Sequence, residues 1–260
     1  IILFDMDGTL TEPRGKFNTE LILDLRNLSQ YADIGIVTGS DINYVNEQLE
    51  KLIRYSELRF VTHLLPCNGT KYYKPPNNNS DDYCLIHDKD MSDELSEQCL
   101  REIFKIITTC QSDACYHPIP LTGHFVNYRG SMINWCPIGR NATHKQRKEF
   151  IEYDNKESFR KRLMSKLSTK INTLCPGKVS IKLGGDTSFD IYPTGWDKTY
   201  ALRHFENKTV WFVGDRCQPS GNDYEIYEAL RPEGRAFETS STFQTQIILR
   251  NEIIPKLKHP

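Results

Sequence analysis

Asp5 and Asp7 stand one residue apart behind the apolar run Ile1–Phe4, and Gly8 follows at once. Residues i and i+2 of an extended segment share a face, so two like charges project together from the carboxyl end of a first strand. In open parallel sheets that end is where ligands bind. Alone, the pair also fits a solvated turn, because Asp and Gly are turn formers. A calcium loop of the EF-hand type fits less well, since it follows a helix and carries its glycine at the sixth position. A second acid-bearing stretch decides between these readings. VWFVGDRCQPSGND, Val210–Asp223, is again an apolar strand ending in an acid, Asp215, whose glycine-bearing loop reaches Asn222 and Asp223 at the start of a helix. Two strands of one sheet that end in carboxylates can hold a magnesium ion, which takes oxygen ligands and offsets their repulsion. IVTGSD, Ile36–Asp41, adds a third strand end with the hydroxyls of Thr38 and Ser40, suited to a phosphate oxygen, and GWDK supplies the cation Lys198. Each signal is weak by itself, since a strand-end Ser or Thr is usually a cap and a helical Lys a solvated charge. Their order along one chain makes them specific.

The elements that must carry these residues alternate strand and helix over the first third: IILF, a helical NTELILDLRNL, DIGIVT, a helix from about Asp41 to Arg54 with Ser40 as its N-cap, and RFVTHLL. Such alternation predicts βαβ units and a parallel sheet. The stretch KPPNNNSDD, Lys74–Asp82, reads as a linker. Beyond it come a helix from about Asp93 to Thr109, a hairpin in GHFVNYRGSMINWCP, two helical segments near Lys145–Ile151 and Glu157–Thr173, and the strand pair VSIKLGG and SFDIYP. From about Gly195 the first pattern returns, with a helical WDKTYALRHF, the strand TVWFVGD, a helix after Gly221, a strand near Ala236 and a terminal helix from about Ser240. The expected fold is therefore α/β: a Rossmann-like parallel-sheet core from residues 1–82 and 194–260, interrupted by an α+β cap over 83–193.

With 260 residues the chain can bury a sizeable core. Its net charge of −1 gives no whole-molecule field toward nucleic acid or an anionic membrane, so neither is an expected partner. The sequence has no apolar run of bilayer length and no charged-then-apolar leader. It opens inside a strand pattern, so a few native residues are expected before Ile1. The eight cysteines are scattered without CxxC or Cys/His spacing. Reduced thiols in a cytoplasmic protein are the expectation, because a chain this long needs no staples. N-x-S/T matches at Asn68, Asn78, Asn141 and Asn207 are read as chance.

DMDGT, IVTGSD, Lys198 and GDRCQPSGND, in that order, resemble the four-motif signature of the haloacid dehalogenase-like superfamily of phosphotransferases. The resemblance implies that Asp5 is the nucleophile and forms an aspartyl phosphate, and that Asp7 is the general acid/base. It further implies that Asp5, Asp215 and the backbone carbonyl of Asp7 hold magnesium. Thr38 or Ser40 would meet the transferring group, and Lys198 would neutralise nucleophile and phosphate. In the cap, Arg129, Arg140 and Arg147 can form one patch whose planar forks suit a phosphate, although three arginines among acids also describe an ordinary solvated face. Here NYRGSMIN, CPIGR and SFDIYPTGWDK are similar to FRNGM-x-N, SPIGR and SFD-x-x-P-x-GWDK of eukaryotic phosphomannomutases, and the similarity runs through almost the full chain. By that resemblance the three arginines and Ser188 hold the phosphate that is not reacting, Asp190 contacts a sugar hydroxyl, and Arg14 faces the substrate.

The implied reaction interconverts mannose 6-phosphate and mannose 1-phosphate through a hexose 1,6-bisphosphate, which also serves as activator, and supplies mannose 1-phosphate for GDP-mannose. Cap closure must exclude water. A homodimer through the cap is also implied. A sugar phosphate or bisphosphate phosphatase on the same nucleophile and metal is the alternative, and a catalytically silent binding module is more remote. The chain departs from the mutase pattern at several places. Thr38 stands for glycine, Cys67 for glutamate, Asp186 for glutamine, Arg216 and Cys217 for lysine and threonine, and Ala229 for the aspartate of a second cation loop. Asp186 can alter hexose preference, and no second ion is expected.

Overall fold

The computed structural model describes every residue except Arg14, Ser80, His259 and Pro260. Its strands are β1 (Ile2–Phe4), β2 (Ile34–Val37), β3 (Thr62–Leu65), β4 (Lys71–Lys74), β5 (Cys84–Asp88), β6 (Val126–Tyr128), β7 (Ile133–Trp135), β8 (Val179–Gly184), β9 (Ser188–Pro193), β10 (Trp211–Gly214) and β11 (Ala236–Glu238). The helices are α1 (Ile22–Leu28), α2 (Ile42–Ile53), α3 (Glu97–Ala114), α4 (His144–Glu157), α5 (Phe159–Leu174), α6 (Tyr224–Leu230), α7 (Thr242–Ile248) and α8 (Ile254–Lys258). Two compact units divide the chain: Ile1–Asp88 with Trp196–Pro260, and the inserted Lys89–Gly195.

In the first unit the sheet order is β11-β10-β1-β2-β3-β4-β5, parallel from β11 to β3 and antiparallel beyond. The chain leaves β1 toward β2 and β3, and later returns on the other side of β1 with β10 and β11, so β1 and β10 flank the switch in strand order. Side chains of a strand alternate between faces, and β1 divides accordingly. Ile2 and Phe4 pack with Leu25 of α1, Val45 and Leu49 of α2 and Ile248 of α7. Leu3 packs on the opposite face with Ala201, Phe205, Phe212 and Ile226 of α6. Burial on both faces is why these strands read as unbroken apolar runs.

Three expectations about this unit change. The N-cap of α2 is Asp41, whose Oδ1 accepts from Tyr44 N at 3.0 Å, not Ser40, whose N–H donates to Thr38 Oγ1 at 3.1 Å. Lys74–Asp82 is not a linker between units. Its Pro and Asn residues close the β4–β5 hairpin, because the same turn chemistry serves a hairpin and a boundary. Since β5 belongs to this sheet, the division falls after Asp88 and after Gly195, not after 82 and 193. The helical segment expected over WDKTYALRHF is a 3₁₀ helix, Lys198–Phe205.

The inserted unit is an antiparallel sheet, β6-β7-β9-β8, with α3, α4 and α5. Ile133, Trp135, Phe189 and Ile191 turn into one apolar cluster with Ile103 and Ile107 of α3 and Leu163 and Leu167 of α5. The alternate residues Asn134, Ser188 and Asp190 therefore occupy the other face. Cys99 of α3 and Cys175 after α5 form a disulfide, which corrects the expectation of thiols throughout. The pair is separated by 76 residues, a distance over which sequence spacing carries no pairing signal. The other six cysteines are free.

Candidate active site

Asp5 continues the β1 ladder, donating its N–H to Val213 O at 2.9 Å, and its side chain lies buried at the carboxyl end of β1. Lys198 opens its 3₁₀ helix behind the N-cap Asp197 and is 0% exposed. Its ammonium is ion-paired to Oδ1 of Asp5 and to Oδ1 of Asp223. The other oxygen of Asp223 accepts the N–H groups of Asp215 at 3.1 Å and Arg216 at 3.0 Å. Asp223 thus ties the loop after β10 to the lysine. The sequence expectations give Asp223 no role, although its signal was legible as a glycine-bearing loop that runs from a strand-end acid to Asn-Asp at a helix start.

Charge in this cluster is governed by burial. Burial pushes Asp5 well above the usual carboxylate range, with Asp223 and Asp215 adding to it and Lys198 opposing. Burial and then Asp223 push Asp215 up to about 6. Burial would lower Lys198, but the carboxylates of Asp223 and Asp5 outweigh it and hold the ammonium protonated. Three carboxyl groups, those of Asp5, Asp215 and Asp223, bring oxygens within 4.8 Å of one another, a closeness that a cation would relieve. Asp215 Oδ1 is buried with no hydrogen-bond partner among the described residues. A Cβ at Gly8 (φ +84°) would lie 2.2 Å from Asp215 Oδ2, so the glycine keeps the carboxylate's place clear. An all-oxygen donor set with an unsatisfied lone pair suits a hard divalent cation.

The remaining expected core residues surround the same strand ends. Asp7 is half-buried, and its Oδ1 accepts from Tyr44 OH at 3.2 Å. Its carboxylate is not among the three clustered acids. Tyr44, on the first turn of α2, had no sequence signal that would mark it. Thr38 follows β2 and is buried, its N–H donating to Leu65 O at 3.2 Å and its carbonyl accepting from Asn68 N at 2.8 Å. Ser40 is half-buried beside it. Arg14 lies outside the described residues.

In the inserted unit the arginines behave differently from one another. Arg129 is half-buried in the β6–β7 turn, its N–H donating to Met132 O at 2.8 Å. Arg147 of α4 is buried and directs its fork at the surrounding chain: Nε to Ala142 O at 3.1 Å, Nη1 to Thr187 Oγ1 at 2.8 Å and Nη2 to Arg140 O at 2.9 Å. Arg140 donates from Nη1 to Asn134 Oδ1 at 2.7 Å. Ser188 and Asp190 are buried on the polar face of β9, and Asp190 Oδ1 accepts from Asn134 Nδ2 at 2.7 Å. Asp186, in the β8–β9 turn, is exposed.

A parallel sheet whose switch-point strand β1 ends in a buried, lysine-paired carboxylate, with Asp215 at the end of β10 close beside it and an α+β unit inserted in the chain, has the architecture of the haloacid dehalogenase-like fold. Solved structures agree on that fold. An IMP-bound IMP-nucleotidase of Plasmodium falciparum aligns with a TM-score of 0.64 at 15% identity over 100% of this chain and 68% of its own. A trehalose-6-phosphate phosphatase related protein gives 0.52 at 15% identity over 100% of both chains. At such identity the likeness bears on fold alone. The sequence model described as eukaryotic phosphomannomutase matches residues 21–253. The chain is similar to phosphomannomutases of Dendrobium officinale, 36% identical over 90% of this chain and 87% of the relative, and Encephalitozoon cuniculi, 36% over 87% and 84%. It is similar as well to phosphomannomutase 1 of Dictyostelium discoideum, 37% over 87% and 86%. The chain belongs to the eukaryotic phosphomannomutase family.

Proposed function

We propose that the chain interconverts mannose 6-phosphate and mannose 1-phosphate by passing a phosphoryl group through Asp5. One observation carries the reading: a buried carboxylate at the carboxyl end of β1 is held by a fully buried ammonium, beside a second carboxylate with an oxygen unpartnered among the described residues. Asp5 Oδ attacks phosphorus of a hexose 1,6-bisphosphate, and the bond from phosphorus to the sugar oxygen breaks. Asp7 gives that oxygen its proton, leaving an aspartyl phosphate and a hexose monophosphate. In the reverse sense Asp7 takes the proton from the free hydroxyl of a monophosphate as that oxygen attacks the aspartyl phosphate. Entering by one end and leaving by the other isomerises the sugar phosphate. Lys198 holds its charge against the nucleophile, and Thr38 or Ser40 donates to the transferring group.

Asp5, Asp215 and the backbone carbonyl of Asp7 would hold a magnesium ion, which when bound spreads the negative charge of the phosphoryl oxygens. Arg129, Arg140, Arg147 and Ser188 grip the phosphate that is not reacting, and Asp190 accepts from a sugar hydroxyl. The bisphosphate primes the cycle as activator. We also propose a homodimer through the inserted unit, supported by its exposed Tyr116, Leu121 and Leu174. A cytoplasmic site, where mannose 1-phosphate feeds GDP-mannose synthesis, completes the proposal. Among the described residues no helix is long and apolar enough to cross a membrane.

The test is to incubate mannose 1-phosphate with magnesium and a catalytic amount of hexose 1,6-bisphosphate, following mannose 6-phosphate and inorganic phosphate together. Mannose 6-phosphate should accumulate with little inorganic phosphate. Inorganic phosphate without the 6-phosphate would make the chain a phosphatase.

A further inference from the structure

Asn134 lies at the centre of the polar face of the inserted sheet and is 4% exposed. In register it sits directly opposite Asp190 across the β7–β9 pair. Both ends of its amide are engaged at short range. Oδ1 accepts from Arg140 Nη1 at 2.7 Å, and Nδ2 donates to Asp190 Oδ1 at 2.7 Å. A guanidinium can only donate and a carboxylate can only accept, so the two neighbours fix which way the amide points. The amide becomes a neutral spacer between a cation and an anion that would otherwise collapse onto each other or drift apart.

Further contacts hold the two ends of this bridge. Arg147 Nη2 donates to the carbonyl of Arg140, which anchors the backbone that carries the first end. At the other end, Gly184 stands where a Cβ would lie 2.7 Å from Asp190 Oδ2, so the Asp190 carboxylate rests over a residue with no side chain. Each support constrains one terminus of the bridge and neither replaces it.

We infer that Asn134 is a positioning residue that sets the distance between the phosphate-gripping Arg140 and the hydroxyl-accepting Asp190, so that both engage one hexose phosphate together. The inference rests on the substrate reading proposed above, which assigns those two roles. Removing the amide takes one hydrogen bond from the half-buried Arg140 and one from the buried Asp190, and the two substrate contacts lose their fixed spacing. The loss should fall on hexose phosphate binding, because the transfer chemistry belongs to the other unit's Asp5 and Lys198.

Titration calorimetry with mannose 6-phosphate on the full chain tests this, comparing the native protein with N134A, R140A, D190A and the double variants N134A/R140A and N134A/D190A. Near-ultraviolet circular dichroism checks that each is folded. N134A should weaken binding about ten- to a hundredfold, and in turnover should raise KM far more than it lowers kcat. In the R140A or D190A background the same change should cost less than about threefold, because residues acting through one another are not additive. N134D keeps the acceptor for Arg140 but sets a carboxylate against Asp190. Its binding relative to the native chain should recover as pH falls and a proton is shared between the two acids. An N134A penalty that is equal in all three backgrounds, or an N134D deficit that ignores pH, would assign Asn134 a merely structural role and overturn the inference. Hexose phosphate binding without mutase turnover in the native chain would overturn the functional reading alone. No binding by the native chain would overturn both.

Discussion

Lys198 has no exposed surface and faces two carboxylates, so its charge and theirs are mutually dependent. Burying an ammonium is costly unless it is paired, and removing one partner of a buried pair leaves the others uncompensated. Lys198→Met should therefore do two things at once. Urea unfolding should show a loss of about 3–5 kcal/mol, and turnover should fall by about 10² or more. Unchanged stability would mean that Asp5 and Asp223 are not held as ions by this lysine. Among single residues, those whose signal was a strand-end position were legible in the sequence: Asp5, Asp215 and Lys198 converge as their order along the chain implies. Asp223 stood legibly at a helix start after the strand-end acid and was given no role, whereas Tyr44 carried no signal, because it meets Asp7 through a contact between elements distant in sequence. Asn134 falls in the same class, since its importance lies in its neighbours across the sheet and beyond the next turn.

At the scale of elements, the turn after β1 is shaped by Gly8. Its positive φ is open to glycine at no steric cost, and the site of its missing Cβ is 2.2 Å from Asp215 Oδ2. Gly8→Ala should cost about 1–3 kcal/mol in backbone strain and lower turnover by displacing Asp215, read by thermal unfolding and kinetics together. The β3–β4 pair carries a different device. His63 Nδ1 and Tyr72 OH lie 2.7 Å apart, and burial lowers the His63 pKa from 6.5 to about 4. The folded protein therefore holds His63 neutral where the unfolded chain would protonate it. Its contribution to stability is fully present above about pH 6.5 and is lost as pH falls from there toward about 4, on the order of 3 kcal/mol in all. Unfolding free energies at pH 7 and pH 5 should show the decline, and His63→Gln should flatten it. An unchanged slope in that variant would assign the acid sensitivity elsewhere. Elements with strong periodicity, such as α2, α5 and the β8–β9 pair, were readable from the sequence. The extent of the first sheet was not, because β4 and β5 bracket a proline- and asparagine-rich turn that resembles a boundary.

For the whole molecule, two units with separate apolar clusters allow stability and chemistry to be perturbed separately. The Cys99–Cys175 disulfide joins α3 to the end of α5 entirely within the inserted unit. Reduction should lower that unit's stability by about 2–4 kcal/mol, seen as a reductant-dependent shift in its unfolding transition that Cys99→Ser abolishes. A transition indifferent to reductant would show that the clip adds nothing to the native state. The phosphoryl group itself can be followed, since Asp5 is proposed to carry it between sugars. The measurement is to mix the protein with a radiolabelled hexose 1,6-bisphosphate and magnesium, quench in acid, map the covalent label by mass spectrometry, and chase parallel samples with mannose 6-phosphate or with buffer alone. The label should fall on the peptide bearing Asp5, be absent in Asp5→Asn, and be discharged by mannose 6-phosphate as bisphosphate much faster than by buffer as inorganic phosphate. A label on another residue, or equal discharge by sugar and by water, would contradict that role for Asp5.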